Sequence, residues 1–228
     1  MNKLFFSWPQ KNRALPVICV CVGQVIWGFS YLFTRIAQSS ASPTVVLSMR
    51  FLASWVIMTA LIWSGKKSFS LKGKNFRPLL ALALLEPPYY FFESYGVYYS
   101  NATFAGTVMA FAPVVGILAA MLFLGEKPTR RQKIFSLLPT AGVIIITSVG
   151  SSMGIVKPLG AIFLFASQIV AAGMKLYNKK SSEEFSSFER TYAIVVANAI
   201  IFTIKSMIDL HGDVRAYAAP LGNPEYVF

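Results

Sequence analysis

Seven separate apolar stretches dominate this sequence, and each is long enough to cross a lipid bilayer. They begin near Leu15, Pro43, Pro78, Thr103, Lys133, Pro158 and Phe185, and each continues for roughly 20 residues. A helix that rises about 1.5 Å per residue spans a hydrocarbon layer of about 30 Å over that length. Because a helix satisfies its own backbone hydrogen bonds in lipid, each stretch predicts a transmembrane helix. The predicted fold class is therefore all-α, a polytopic helical bundle in a membrane.

The basic residues are distributed in the way that membrane topology predicts. The chain has 21 Lys and Arg against 9 Asp and Glu. Sixteen of the basic residues lie before the first stretch or around the second, fourth and sixth connections, and the opposite side has only Lys157 and Arg215. The positive-inside rule then predicts a cytoplasmic N-terminus in the cell membrane, with the end of the seventh stretch outside. Since topology accounts for the charge, we expect a lipid-bilayer partner and no nucleic acid.

Other classes of protein find less support in the sequence. Cys19 and Cys21 point to different sides of one predicted helix, so no disulfide or metal site is indicated. The single histidine, His211, lies in the external tail, and hydrolase motifs are absent, so we expect neither an enzyme nor a cofactor. A seven-helix receptor or retinal protein is an alternative, because Lys205 lies in the seventh stretch. Such receptors, however, place their N-terminus outside the cell.

A weak internal repeat relates the first stretch to the sixth. Gly23-Gln24-Val25-Ile26 aligns with Ser167-Gln168-Ile169-Val170 at an offset of 144 residues, which also pairs Arg35 with Lys179. If the repeating unit has five helices, an odd number, the second copy crosses the membrane in the opposite direction. Inverted repeats of this kind are the architecture of many secondary transporters.

Several short motifs, taken in order, resemble one transporter family. They are Ile26-Trp27-Gly28-Phe29-Ser30-Tyr31-Leu32-Phe33-Thr34-Arg35, Pro43, Met49-Arg50-Phe51, Tyr99-Ser100-Asn101-Ala102, Ala112-Pro113, Phe123-Leu124-Gly125-Glu126 and Gly142. Their order and spacing resemble an EamA-type member of the drug/metabolite transporter (DMT) superfamily. The resemblance implies ten helices in two inverted five-helix halves, which move small metabolites such as amino acids or drugs by alternating access. A carrier of lipid-linked substrates on the same fold is an alternative.

The resemblance also implies a division of the chain into two repeats. Residues 1–150 would form the first repeat with five transmembrane helices, and residues 151–228 an incomplete second repeat with two helices and an external tail. On this pattern seven of ten helices are present, so we expect a fragment or a truncated reading frame. The chain alone would then neither fold robustly nor transport its small-molecule substrate. A homo-oligomer is compatible with the sequence.

Charged residues inside the predicted helices mark a candidate transport cavity. An ionised group near the bilayer centre costs roughly 2.5–3.5 kcal/mol on insertion scales, so Glu86 and Glu93 in the third stretch are expected to have a function. Glu93 and Arg50 lie at similar predicted depths, and the sequence leaves open whether Glu93 pairs with Arg50 or contacts substrate. Glu86 has no basic residue at its depth. Its buried carboxylate is therefore expected to be neutral, which makes it a candidate proton carrier.

Prolines and aromatic residues complete the candidate site. Pro87 and Pro88 each remove a helical N–H and predict a bend in the third helix, either a static kink or a border of the cavity. Aromatic rings beside the glutamates would suit an aromatic or cationic solute. Trp27 at mid-depth is expected to face the cavity, and Pro113 predicts a kink in the fourth helix. The candidate cavity residues are Trp27, Arg50, Glu86, Tyr89, Tyr90, Glu93 and Pro113.

Overall fold

The described part of this computed structural model is built from helices. It covers residues 14–124, 128–132, 134, 136, 138, 141 and 157–222, and no strand occurs among them. The helices are α1 (Ala14–Ala37), α2 (Pro43–Trp63), α3 (Arg77–Tyr99), α4 (Ala102–Met109), α5 (Ala112–Leu124), α6 (Pro158–Ser181), α7 (Ser187–Asp209) and the short α8 (Val214–Ala218), followed by a 3₁₀ turn over Ala219–Gly222. The stretch predicted to begin near Lys133 lies outside the described residues.

The helix lengths and their apolar composition confirm an all-α membrane protein. Within the described residues four segments are long and apolar enough to cross a bilayer: Val17–Ala37, Pro43–Trp63, Pro158–Ser181 and Ser187–Asp209. The helix α3 has 23 residues, which is also sufficient length, but its two glutamates make it less apolar. For the six predicted stretches that the structure describes, the observed helix starts differ from the predicted ones by at most two residues.

Side-chain caps fix where several helices begin. The Ser42 hydroxyl accepts a hydrogen bond from the Val45 N–H, and Pro43 occupies the first helical turn of α2. The Asn101 side chain accepts from the Phe104 N–H at 2.8 Å and starts α4. A polar side chain at this position satisfies an N–H that has no partner inside the helix. These caps account for the positions at which α2 and α4 begin.

The fourth apolar stretch is broken into α4 and α5. The helix stops after Met109 and resumes at Ala112, while the Phe111 N–H bonds the Val108 carbonyl at 3.0 Å. Pro113 has no N–H for the Met109 carbonyl, and its ring crowds that carbonyl in a regular helix. The interruption thus lies where Pro113 predicts a kink. The helix α3, by contrast, continues through both of its prolines.

The helix α3 is central, with α6 packed along one side and α7 along another. It approaches α6 closely because small residues lie at their contact. A methyl group on Gly160 would lie 2.9 Å from the carbonyl carbon of Tyr99, and one on Gly96 would lie 2.5 Å from Cγ of Leu164. Small residues allow membrane helices to pack at this distance. The helices α2 and α7 bury a separate apolar cluster formed by Leu47, Phe51, Val195, Ala199 and Phe202.

A buried carboxylate fastens the connection between α2 and α3 to the start of α7. Glu189 completes a capping box with Ser186, and it also accepts from Lys74 Nζ at 2.6 Å and from the Ser70 N–H at 3.2 Å. The Glu189 side chain is 8% exposed and that of Lys74 is 27% exposed. The basic connection is thereby held against α7 by a charge-assisted contact.

Candidate transport cavity

A cavity of about 910 Å³ lies between α1, α3, α4, α5 and α6. Its volume is within the range of small-molecule sites. Trp27 from α1 and Tyr89 from α3 line it, as the sequence predicts for two of the candidate residues. The ends of the broken helix also contribute, because Met109, Ala110 and Ala112 are part of the wall. Interrupted helices are tolerated at membrane depth where they are buried in protein or line a cavity.

The helices α1 and α6 contribute residues that the predicted internal repeat aligns with each other. At the offset of 144 residues, three positions of α1 correspond to three positions of α6, and all six line the cavity: Gln24 with Gln168, Trp27 with Ala171, and Tyr31 with Lys175. Side chains separated by four or three residues share one helix face, so each helix presents this face to the same space. The similarity in sequence is therefore matched by a shared position at the cavity.

Glu93 lies directly behind the cavity wall. Its Oε1 accepts hydrogen bonds from the hydroxyl of Tyr31 at 2.8 Å and from that of Tyr89 at 2.7 Å. Both tyrosines line the cavity, whereas Glu93 is only 6% exposed. Each hydrogen bond to a charged acceptor contributes about 1.5–3 kcal/mol, which offsets part of the cost of burying the carboxylate. The carboxylate is thus connected to the cavity through two hydroxyl groups.

Arg50 does not form the ion pair with Glu93 that was one of the two expectations. Among the described residues, the side-chain ion pairs within 4.0 Å are Lys74–Glu189 and Lys205–Asp209. The Arg50 guanidinium instead lies 5.0 Å from the ring centroid of Tyr90, a distance typical of cation–π contacts. Arg50 lines a groove of about 510 Å³ between α1 and α2. The two tyrosines take the position at the carboxylate that the arginine was expected to occupy.

The other candidate residues lie outside the cavity wall or beyond what can be described. Glu86 is 8% exposed, and within the described residues no hydrogen bond or ion pair reaches its side chain. Tyr90 packs edge-on against Phe51 with ring centroids 4.9 Å apart, so it belongs to the contact of α2 with α3. Pro113 lies within α5, but its side chain is outside the described part of the chain. Nowhere in that part do three His, Cys, Asp or Glu side chains group as a metal site would require.

Sequence reasoning missed Lys175, the charged side chain among the described residues of the cavity wall. It was counted with the cytoplasmic basic residues because it lies near the end of α6. In the structure its ammonium group lies against α5, where a methyl group on Gly116 would be 2.9 Å from Nζ. The repeat offers a signal that could have found it, since Lys175 is equivalent to Tyr31. Gln168 was also missed as a cavity residue, and its Nε2 contacts Met109 Sδ at 2.7 Å.

Comparison of the sequence with known proteins finds transporters. Residues 14–148 match the EamA-like transporter family. The chain is 30% identical over 222 residues to the uncharacterized transporter YcxC of Bacillus subtilis, covering 95% of this chain and 71% of that protein. It is 22% identical over 202 residues to an uncharacterized transporter of Archaeoglobus fulgidus, covering 87% and 71% respectively. It is 25% identical over 185 residues to the uncharacterized inner membrane transporter YedA of Escherichia coli K12, covering 81% and 59%.

Proposed function

Because this chain belongs to the EamA-like transporter family, we propose that the cavity between α1, α3, α4, α5 and α6 binds the transported solute. The protein is a multi-pass membrane transporter, and that membership favours transport over the receptor or retinal interpretation. The solute in this proposal is a small polar metabolite that crosses the plasma membrane by alternating access. The observation that carries the proposal is a cavity of about 910 Å³ between helices, with a mainly apolar wall that includes aromatic rings and a few polar groups.

The cavity wall has the chemistry that a small polar solute requires. Trp27 and Tyr89 offer aromatic surfaces, and the amides of Gln24 and Gln168 offer both hydrogen-bond donors and acceptors. Binding sites for small molecules combine such apolar area with a few polar groups that fix orientation. The few polar groups of this mainly apolar wall need hydrogen-bond partners, which a polar solute or water would supply.

The same cavity supports a two-repeat organisation of the protein. We assign residues 1–150 to a first repeat and residues 151–228 to part of a second, in inverted orientation. Support comes from Gln24 and Gln168, which are equivalent in the repeat and line one space from α1 and α6. In inverted-repeat carriers the solute site lies between the repeats, and one repeat rocks against the other. Movement of α6 relative to α1 would then open the cavity to alternate sides.

Glu86 is the residue that we assign to proton coupling. Its carboxylate is buried in α3, and none of the described side chains neutralises it. Carboxylates inside membrane helices often serve as proton relays in transporters. In the Glu86→Gln variant, a pH gradient should no longer change the rate of solute uptake. Exchange of solute across the membrane without a gradient should continue. Unchanged dependence on the gradient would remove Glu86 from the coupling step.

The proposed solute site is tested by measuring solute uptake into cells that express the protein from its own gene. A panel of labelled amino acids and aromatic metabolites identifies a solute with saturable uptake. Trp27→Ala should lower that uptake at least tenfold, because a tryptophan in the cavity contributes a large contact area. Trp63→Ala is the matched control, since Trp63 is 86% exposed at the end of α2. Equal uptake by the two variants, at equal amounts in the membrane, would contradict the assignment of the cavity.

A further inference from the structure

We propose that Lys175 binds an anionic group of the transported solute, so that the cavity accepts organic anions and discriminates against amines. This inference rests on the proposed function, because it assigns a solute class to the same cavity. The anionic group at one end of the solute would be either a carboxylate or a phosphate. The supporting observations are the depth of Lys175, the charge of the wall around it, and the state of the hydroxyl groups in that wall.

Lys175 lies within the membrane-spanning part of α6. It precedes the last residue of the helix, Ser181, by six positions, which corresponds to about 9 Å along the axis. A lysine near a helix end can extend its ammonium group to the membrane surface. Here the ammonium group lies against the backbone of α5, where a methyl on Gly116 would be 2.9 Å from Nζ. Lys175 is an exposed residue, and it is one of the residues that line the cavity.

The charge in the wall itself is positive, whereas the carboxylate of Glu93 lies behind the wall. Of the described residues that line the cavity, Lys175 is the only one with a charged side chain. Among all described residues, no carboxylate forms an ion pair with it within 4.0 Å. A cavity with charge of one sign and a low-dielectric wall attracts solutes of the opposite sign. An amine in the same space would meet a like charge, which gives specificity by repulsion.

The two tyrosine hydroxyls cannot donate a hydrogen bond to an anion, which favours Lys175 as its binding group. Tyr31 and Tyr89 both donate their hydroxyl hydrogens to Glu93. Towards a solute these hydroxyls can then only accept hydrogen bonds, since a hydroxyl has one hydrogen to donate. An anionic group would find acceptors there, and Glu93 behind them would repel it. At Lys175 the same group finds three N–H donors and a positive charge.

The test uses three probes that share one aromatic ring: 3-phenylpropanoate, phenyl phosphate and 2-phenylethylamine. Their affinities are measured by calorimetry on the protein in lipid nanodiscs. We expect at least one of the two anions to bind at least tenfold more tightly than the amine, and the better one identifies the head group. Lys175→Gln should weaken the anion at least tenfold, and Lys175→Arg should retain most of the affinity. Lys180→Gln, a charge removal on the same helix outside the cavity wall, should change nothing.

Several outcomes would overturn this inference. They are an amine that binds as tightly as the anions, an unchanged anion affinity in Lys175→Gln, an Arg variant that binds no better than the Gln variant, and no binding of either anion. Thermal unfolding of Lys175→Gln confirms that the variant is folded before its affinity is interpreted. If the amine binds and Trp27→Ala weakens it, the cavity remains the solute site and only the charge assignment fails. If Trp27→Ala affects neither probe binding nor uptake, the proposed function fails as well.

Discussion

A close contact between the backbones of α3 and α6 makes a substitution at Gly160 informative. A Cβ atom at this position would lie 2.9 Å from the carbonyl carbon of Tyr99, 3.0 Å from its oxygen and 3.1 Å from the Ser100 nitrogen. Carbon atoms in favourable contact are about 3.5–4.0 Å apart, so α6 would move away from α3 by on the order of 0.5 Å. These are backbone atoms, which cannot move aside as the end of a side chain can. The added methyl group therefore separates the two helices.

Separating the helices loses packing energy, whereas alanine favours the helical backbone more than glycine does. A gap of that size forfeits about a quarter to a half of the dispersion energy of each contact that it opens. Overpacked sites typically lose about 1–3 kcal/mol, whereas alanine gains up to about 1 kcal/mol over glycine in a helix interior. Gly160 lies in the first turn of α6, where this gain is small. We expect Gly160→Ala to lower the free energy of unfolding by about 1–3 kcal/mol.

Equilibrium unfolding by SDS in mixed micelles, followed by circular dichroism, measures the change. Gly23→Ala is the matched control, because a Cβ at Gly23 in α1 would have no atom within 4 Å. This control should be as stable as the unmodified protein or up to about 1 kcal/mol more stable. If Gly160→Ala is as stable as Gly23→Ala, the close packing of α3 with α6 described above is wrong.

Three further experiments test two side-chain contacts and the membrane topology. A double-mutant cycle with Tyr31→Phe and Glu93→Gln should give a coupling of about 0.5–3 kcal/mol in the same unfolding assay, and additive effects would argue against their hydrogen bond. Lys74→Gln should cost about 1–3 kcal/mol because it removes a charged donor from a buried carboxylate, whereas Lys205→Gln, whose ion pair is exposed, should cost less than about 1 kcal/mol. A cysteine at Ser70, in an otherwise cysteine-free protein, should react with an impermeant reagent only after the cells are permeabilised, and reaction in intact cells would reverse the proposed topology.

The helices could be predicted from the sequence because their signals are local. Apolar length, the prolines at the starts of α2 and α6 and the serine before α2 place those helix starts within the chain itself. The break before α5 is also local, since Pro113 acts on the carbonyl four residues earlier. Such features require no knowledge of which helices are neighbours. They explain why the order and bounds of the described helices follow the sequence closely.

The candidate site was less predictable because it depends on how helices face each other. Arg50 and Glu93 were compared by depth alone, and depth does not give the rotation of each helix about its axis. In the structure Arg50 turns towards the groove beside α1, and Tyr31 and Tyr89 reach the carboxylate. Charge counting by membrane side likewise placed Lys175 at the surface. Only the contact of α6 with α5 shows that its ammonium group lines the cavity.

Thiol modification inside the cavity measures whether the cavity is the path of the solute. In a protein without native cysteines, Ala171→Cys places a thiol in the cavity wall, and Ile169→Cys places one on the same helix at a position that is 71% exposed to the outside of the bundle. The measurement is uptake of the identified solute after treatment with a small, charged thiol reagent. We expect modification at residue 171 to abolish uptake, excess solute to slow this modification, and treatment at residue 169 to leave uptake intact. Full uptake after complete modification at residue 171 would contradict the central claim that solute passes through this cavity.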